Sequence, residues 1–460
     1  MNSSHDSHAV HHRQLTQSTS FLPPTNDLLQ VRSRRWFLKT GMAGLGLTSL
    51  LSSNSFAAET SPTADKKSVI LFWLSGGPSQ IDMWDPKPQA PQEIRSPFGH
   101  IATRIPGALF TEHLPLQASI ADKLSIIRSV DCSASNHTPI TMQAGNPLAQ
   151  RTNDGKDGAG FPSMGSVCAK FRGANDPDLP AFVGLADSWT ADVWEAGEMG
   201  QAYAPVKGQE LAGKFNLPEG ISTDRLSDRN SLRQHFDTLR ASLDRSGQME
   251  RMDRYTQRAY EMSLSGKVEQ AFDLSQESTQ MQNLYGHESV GKKALLARRL
   301  VESGVSFVLV SGAWGYFDHH GDNVRWGGIE KGLKPLIPRV DRVLYALVTD
   351  LEQRGLLDST LVLMMGEFGR SPVINKELGR DHWTNTMSMV VAGGGLPHGQ
   401  VIGSTDRRGG AILSSPVRPQ DLAATTFRHM GIDLNAAWTN HRGRPIPIVQ
   451  EGGRPIPELM

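Results

Sequence analysis

Five stretches of uninterrupted apolar residues are spaced widely along the chain, at residues 66–75, 124–130, 305–311, 360–365 and 387–392. Runs of this kind are typical of strands that are buried on both faces of a parallel sheet. Between them, apolar residues recur with helical spacing, most clearly along residues 340–351. Strands that alternate with amphipathic helices predict an α/β fold with a doubly wound, mainly parallel sheet, in which all five runs are parallel strands.

The helical pattern is densest from about residue 224 to residue 300, where Leu232, Phe236, Leu239 and Leu243 share one stripe. No internal repeat and no convincing linker divides the rest of the chain. We therefore predict one enlarged domain over residues 58–460, with a helical insertion at about 224–300.

Residues 1–57 carry the pattern of an export signal. Arg34 and Arg35 precede a mild apolar run at residues 40–51, and a small-residue cleavage motif ends at Ala57. The run is about a dozen residues, short of the roughly 20 that span a bilayer. The pattern predicts a twin-arginine signal, the twin-arginine translocase as a partner during export, and a periplasmic or otherwise exported mature protein without a stable membrane span.

Composition narrows the function classes. Lys and Arg number 47 and so do Asp and Glu, which leaves no basic surplus to attract nucleic acid or an anionic membrane. Two cysteines, Cys132 and Cys168, exclude a disulfide-dense scaffold and a four-cysteine zinc module. They predict either one disulfide or two buried thiols.

Each predicted strand leads directly into a polar cluster. Because the carboxyl ends of parallel strands share one edge of a sheet, we expect these clusters to meet there. Carboxylates and imidazoles gathered in this way suit a divalent metal, whether zinc, calcium or magnesium. The candidate metal ligands are Asp82, Asp318, His320, Glu367, Asp381 and His382.

The densest cluster is the segment 318–322, which holds two histidines and two aspartates. We select His320 over His319 as the ligand because alternate residues of an extended loop point the same way, so His320 faces the side that Asp318 faces. Simpler interpretations stay open elsewhere. Asp82 is also typical of a helix cap or turn, and His137 taken alone is more typical of a satisfied polar residue than of a ligand.

Several motifs together resemble the domain-of-unknown-function family 1501. They are GGPSQIDMWDPKP (residues 76–88), GFPSMGSV (160–167), FDHHGDN (317–323), GEFGRSP (366–372) and GRDHW (379–383), and the resemblance extends from about residue 66 to residue 447. That family is typically exported and is similar in fold to the alkaline phosphatase and sulfatase superfamily. The resemblance therefore implies metal-dependent hydrolysis of phosphate or sulfate esters.

Carried over position by position, the resemblance assigns Asp318, His319, His320 and Asp322 to the superfamily's central metal cluster, and His382 to its final histidine. Two departures bear on the metal site. Glu367-Phe368-Gly369 stands where the superfamily has Asp-His-Gly, and no acid follows the first strand, so that Asp82 is the nearest substitute. A complete dinuclear site is therefore not implied.

The nucleophile is left open by the sequence. A serine or threonine hydroxyl after the second strand, Ser135 or Thr138, and also Ser79 are candidates. Neither Cys132 nor Ser135 lies in the motif that sulfatases convert to formylglycine, so we do not expect that cofactor.

Three functions are compatible with these features. The first is an exported metal-dependent hydrolase of a small anionic ester or polysaccharide-derived substrate, in which Arg370 or Arg380 clamps the anion. Either arginine could instead form a plain ion pair. The second is a non-catalytic binding or structural protein of the cell envelope with a degenerate metal site. The third is a non-hydrolytic transferase or isomerase of the same fold.

Overall fold

The computed structural model describes residues 66–150, 158–186, 192–207, 266–312 and 317–460. The predicted export signal at residues 1–57 and the stripe from Leu232 to Leu243 lie outside these residues. The described residues all belong to one compact unit.

The strands of the described residues are, in chain order, β1 (Ser68–Trp73), β2 (His100–Ala102), β3 (Leu109–Thr111), β4 (Leu124–Val130), β5 (Phe182–Leu185), β6 (Val206–Lys207), β7 (Phe307–Ser311), β8 (Thr360–Met365), β9 (Gly369–Arg370), β10 (His382–Trp383), β11 (Met387–Gly393), β12 (Gln400–Ile402), β13 (Ser404–Thr405), β14 (Ile412–Ser414), β15 (Ala437–Thr439) and β16 (Pro445–Pro447). The α-helices are α1 (Pro115–Ser119), α2 (Ile140–Ala144), α3 (Met164–Phe171), α4 (Lys267–Phe272), α5 (Thr279–Tyr285), α6 (Ser289–Ser303), α7 (Lys334–Gln353) and α8 (Pro419–His429). None of the described helices is both long and apolar enough to cross a membrane.

Eight strands form the central sheet, in the spatial order β12-β4-β11-β8-β1-β7-β5-β6. The five predicted apolar runs correspond to β1, β4, β7, β8 and β11, and the prediction of a mainly parallel sheet is confirmed. One part of it was wrong, because β11 runs antiparallel to both of its neighbours, β4 and β8. A strand buried on both faces has the same apolar composition whichever way it runs, so the sequence pattern does not contain the direction.

Helices cover both faces of the sheet, as the doubly wound prediction requires. Along β1, Ile70 and Phe72 pack into the core shared with α6 and α7, whereas Val69 and Leu71 pack into the core shared with α3 and α8. This alternation follows from the two-residue period of a strand. The stripe predicted along residues 340–351 is the buried face of α7.

The described part of the predicted helical insertion contains α4, α5 and most of α6. Two of its glycines separate these helices. Gly266 precedes α4 at φ +64°, and Gly286 ends α5 at φ +87°, conformations that favour glycine. The remainder of the insertion lies outside the described residues.

The two cysteines are free and fully buried, so of the two alternatives the structure shows buried thiols. Burial raises the pKa of the Cys132 thiol to about 12 and also raises that of Cys168, which keeps both protonated and unreactive.

Candidate metal centre

One edge of the sheet collects most of the polar clusters. Strands β1, β4, β7 and β8 end at this edge, and the antiparallel strand β11 begins there. The loops after β1, β4 and β7 and the connection from β8 to β11 therefore meet at one place. They supply Gly76, His137, Asp318, Glu367 and His382.

Asp318 is the centre of the cluster. Its Oδ1 lies 2.9 Å from Nε2 of His382, 2.9 Å from Nε2 of His320 and 2.6 Å from Nη2 of Arg370. The two histidine Nε2 atoms lie 3.0 Å from each other. The structure thus brings together Asp318, His320 and His382, three of the residues that the sequence selected. Their donor atoms lie 2.9–3.0 Å from one another.

His137 is a site residue that the sequence analysis missed. Its Nε2 lies 3.5 Å from Oδ2 of Asp318, and its Nδ1 lies 3.1 Å from Oε1 of Glu367. The available signal was its position in the loop after β4, at the same edge as the other clusters. An isolated histidine carries no spacing motif, and that is why its chemical role was not predicted.

Glu367 was predicted to be a metal ligand, but the structure shows it holding other groups. Its Oε1 accepts hydrogen bonds from the backbone N–H of Gly76 and from His137. Its side chain is fully buried, and its Oε2 has no hydrogen-bond partner among the described residues. A carboxylate that binds one ring nitrogen of a histidine orients the other ring nitrogen for binding a metal. Glu367 is placed to do this for His137, because it binds Nδ1 and leaves Nε2 facing Asp318.

Charges within the cluster favour an ionised carboxylate. Burial alone would raise the pKa of Asp318, but hydrogen bonds from His137, His382 and Arg370 hold it well below its usual range. Burial would lower the pKa of His137, but its bonds to Asp318 and Glu367 raise it to about 9. Burial lowers the pKa of His382 and favours the neutral imidazole, which is the form that ligates a metal.

Arg370 holds the carboxylate of Asp318 in place. Its guanidinium donates to Asp318, to the backbone carbonyls of Gly76 and Gly77, and to the carbonyl of Arg380. Its side chain is only 1% exposed. The predicted role as an anion clamp is therefore corrected, because the donors of Arg370 are already engaged within the protein.

Arg380 and Asp82 form a separate buried pair, and this corrects two predictions. Arg380 donates from Nε and Nη2 to the two oxygens of Asp82, at 2.7 and 3.0 Å. Its other donors meet the carbonyls of Ile94, Ser371 and Pro372. Asp82 also accepts from the hydroxyl of Ser79 at 2.7 Å. The side-chain donors of Arg380 are all engaged with Asp82 and these carbonyls, so Arg380 has no free donor for an anion. Asp82 is bound by Arg380 and Ser79 and not by the candidate metal ligands.

The remaining candidates lie around the cluster. Asp381 is largely exposed and lies 3.5 Å from Nδ1 of His320. It therefore contacts His320 at the ring nitrogen that does not face Asp318. The Thr138 hydroxyl donates to the side chain of Asn136 at 2.7 Å, and the Ser135 hydroxyl is directed to the Asn136 carbonyl at 3.4 Å. His319 is buried outside the cluster, with Nδ1 against the carbonyl of Trp326.

The geometry of the cluster suits a metal ion. One donor atom from each of His137, Asp318 and His382 lies within 4.8 Å of the others, so these three are a group of potential ligands among the described residues. His320, whose Nε2 also lies 2.9 Å from Asp318, borders this group. Two ligands bound to one ion at about 2.1 Å lie about 3.0–3.4 Å apart at bond angles of roughly 90–109°. The separations of 2.9 Å from Oδ1 of Asp318 to His382 and 3.5 Å from Oδ2 to His137 are each close to that range. The three residues could hold a divalent metal.

A family described as "Protein of unknown function (DUF1501)" matches residues 66–460 in a scan of family models. The chain belongs to this family. The predicted resemblance is thereby confirmed, and the matched range includes every segment that builds the centre. No curated protein matches this DUF1501 member by sequence.

Solved structures similar to the DUF1501 chain share little sequence with it. A phosphonate monoester hydrolase of Agrobacterium radiobacter is 10% identical, with 85% of this chain and 77% of that chain covered and a TM-score of 0.40. An alkaline phosphatase from the Antarctic bacterium TAB5 is 12% identical, with 80% and 99% covered and a TM-score of 0.35. A sulfatase from Pseudoalteromonas sp. is also 12% identical, with 80% and 68% covered and a TM-score of 0.35.

Proposed function

We propose that the protein is a divalent-metal-dependent hydrolase of phosphate or sulfate esters. The observation that supports this most directly is the convergence of His137, Asp318 and His382 at the carboxyl edge of the sheet. Their side chains are partly exposed, at 29%, 16% and 33%, so a small substrate can reach them.

The donor set favours zinc over calcium or magnesium. Two imidazole nitrogens and one carboxylate oxygen are typical zinc ligands, whereas calcium and magnesium prefer oxygen donors throughout. A bound zinc would act as a Lewis acid toward an ester oxygen and would help to activate an attacking oxygen.

The chain's own residues would hold this centre in place and supply the nucleophile. Arg370 fixes the carboxylate of Asp318, and Glu367 fixes the imidazole of His137. Ser135 and Thr138 follow β4 in the same loop as His137 and remain the candidate nucleophiles. Because Arg370 and Arg380 are engaged within the protein, the anion of the substrate would be held by the metal and not by an arginine clamp.

The proposal is tested by elemental analysis of the purified protein together with assays on aryl phosphate and aryl sulfate esters. We expect about one zinc per chain and an activity that is lost in His382→Ala but kept in His319→Ala, since His319 lies outside the cluster. A wild-type protein that binds no divalent ion and hydrolyses neither ester would contradict the proposal.

We also propose that the protein is exported by the twin-arginine route, with a small anionic ester or a polysaccharide-derived ester as its substrate outside the cytoplasm. The residues Arg34 and Arg35 and the apolar run that follows support this. Changing both arginines to lysine should abolish export, because lysine does not reproduce the planar guanidinium. Undiminished export of the double variant would argue against the route.

One observation favours a second function, a non-catalytic binding or structural role in the envelope. Phe368 stands beside Glu367 where the related superfamily has a ligating histidine, and the donors of both arginines are engaged. Under this alternative, the purified protein would be stably folded with no metal and would hydrolyse neither ester.

A further inference from the structure

The three histidines of the centre differ in what fixes their rings. Nδ1 of His137 is held by the buried carboxylate of Glu367 at 3.1 Å. Nδ1 of His320 has the exposed carboxylate of Asp381 at 3.5 Å. Nδ1 of His382 has no hydrogen-bond partner among the described residues. Histidines that ligate a metal usually donate the other ring N–H to a fixed acceptor, and this support is missing at Nδ1 of His382 among the described residues.

Rings surround His382 instead. The centroid of the Phe368 ring lies 4.5 Å from that of His382, at an interplanar angle of 42°. The centroids of His137 and His320 also lie 4.5 Å from that of His382. Phe368 lies 5.4 Å from His137 as well, so its single ring contacts two of the three potential ligands in the centre.

Phe368 is itself held firmly, with its side chain 1% exposed and its ring packed against the backbone of Gly77. A Cβ atom placed on Gly77 would lie 2.6 Å from Cδ2 of Phe368, too close for any other residue. Gly77 also has φ +85°, a conformation that favours glycine. The loop after β1 therefore leaves room for a flat ring at this position and limits its movement.

We propose that Phe368 is a positioning residue for the metal centre: its ring fixes the plane of the His382 imidazole so that Nε2 points at Asp318. This extends the proposed function, on which its metal-binding consequence rests. The ring packing takes the place of the carboxylate that orients His137. A side chain of similar volume without a flat face would fill the space but would leave the imidazole free to rotate about its bond to Cβ.

The test compares two buried phenylalanines at the same edge of the sheet. Phe368→Leu removes the ring that packs on His382. Phe317→Leu is the matched control, because Phe317 is 2% exposed and its ring faces His319, which lies outside the cluster. Zinc affinity is measured by competition with a chromophoric chelator. We expect Phe368→Leu to weaken binding by about 10–100-fold, the usual effect of losing a group that orients a ligand, and Phe317→Leu to leave it near the wild-type value.

Phe368→Tyr keeps the flat ring and should retain most of the zinc affinity. If Phe368→Leu and Phe317→Leu bind zinc equally well, or if Phe368→Tyr is as weak as Phe368→Leu, the positioning role is wrong.

A second measurement does not depend on metal. In the metal-free protein, the imidazole NMR signals of His382 should broaden in Phe368→Leu, because the ring exchanges between orientations, and should stay sharp in Phe317→Leu. A shift without broadening is not counted, because loss of the Phe368 ring current shifts these signals in any case. If wild-type protein binds no zinc but His382 responds in this way, the positioning role holds and the proposed metal-dependent function fails. His382 signals that stay sharp in Phe368→Leu would overturn the positioning role even in a protein that binds zinc.

Discussion

Two aspartate–arginine pairs lie in the same part of this molecule and have opposite characters. Asp82 pairs with Arg380, and Asp318 pairs with Arg370, with both arginines 1% exposed. In the first pair, Asp82 is fully buried and all five donors of Arg380 meet protein acceptors. In the second, Asp318 is 16% exposed and also faces three histidines.

The difference shows what distinguishes a structural pair from a candidate site. An arginine beside an aspartate is common to both and is uninformative by itself. What differs is whether the carboxylate is satisfied by fixed buried partners, as Asp82 is by Arg380 and Ser79, or is approached by several imidazoles that compete for it. The first arrangement holds loops together. In the second, a bound metal could replace the contacts between the imidazoles and the carboxylate.

The largest effect on stability is expected from breaking the Asp82 pair. Arg380→Met leaves Asp82 buried without its counter-charge and should lower the free energy of unfolding by about 3–5 kcal/mol. Urea unfolding measures this, with metal content per folded molecule expected to stay unchanged. Arg418→Met is the control, because Arg418 pairs with Asp421 at 40% exposure and should cost no more than about 1 kcal/mol. A stable Arg380→Met protein that has lost its metal would reverse our assignment of the two pairs.

The Asp318 centre should respond in the opposite way. His137→Ala and His382→Ala each remove one of three potential ligands, so we expect zinc affinity to fall by more than about 100-fold, beyond the range seen for groups that only orient a ligand. Both side chains are partly exposed, so the metal-free proteins should stay folded. His319→Ala provides the contrast. It should lower stability, because the residue is buried, and should keep the affinity within about tenfold. Titration with zinc and thermal unfolding separate these effects.

A smaller effect is expected from changing Glu367, the carboxylate that binds Nδ1 of His137. Glu367→Gln replaces an anion with a neutral amide and should weaken zinc binding by about 10–100-fold without abolishing it. Asp381→Asn is its counterpart on the exposed side. Since Asp381 lies 3.5 Å from His320 and is 66% exposed, little change in affinity is expected there. Equal losses in the two variants would show that burial of Glu367 does not matter.

The smallest effect concerns a third aspartate. Asp341 accepts from the backbone N–H groups of Leu116 and Gln117, and burial outweighs these bonds and raises its pKa to about 6. In an unfolded chain the pKa is about 3.9. A carboxyl with a raised pKa stabilises the folded state fully below about pH 4, and this contribution is lost as the pH rises through about 6.

Wild-type protein should therefore lose about 1–2 kcal/mol more stability than Asp341→Asn between pH 4 and pH 7. Urea unfolding at several pH values measures the difference. A difference that does not change with pH would mean that Asp341 ionises normally despite its burial.

The sequence predicted the frame of the fold well, because a buried parallel strand leaves a continuous apolar run that can be recognised without a structure. It also located Asp318, His320 and His382, since histidines and aspartates that cluster after such runs are typical of metal ligands. Pairing across long separations could not be predicted. Asp82 and Arg380 are 298 residues apart, and nothing in the spacing of either says that it meets the other. His137 was missed because a single imidazole becomes informative only beside the carboxylates that it contacts.

The reversed direction of β11 concentrates much of this edge in one short connection. The connection from β8 to β11, residues 366–386, leaves the sheet and returns to it at the same edge, and the flanking strands pair directly, with Val390 opposite Met364. This connection supplies Glu367, Arg370, Arg380 and His382. An antiparallel return needs no crossover helix, so a short stretch of chain carries all four side chains. Because Glu367 and Arg370 are bonded to the loop after β1 and Arg380 is bonded to Asp82, a change that displaces this one connection would disturb the metal centre and the structural pair at the same time.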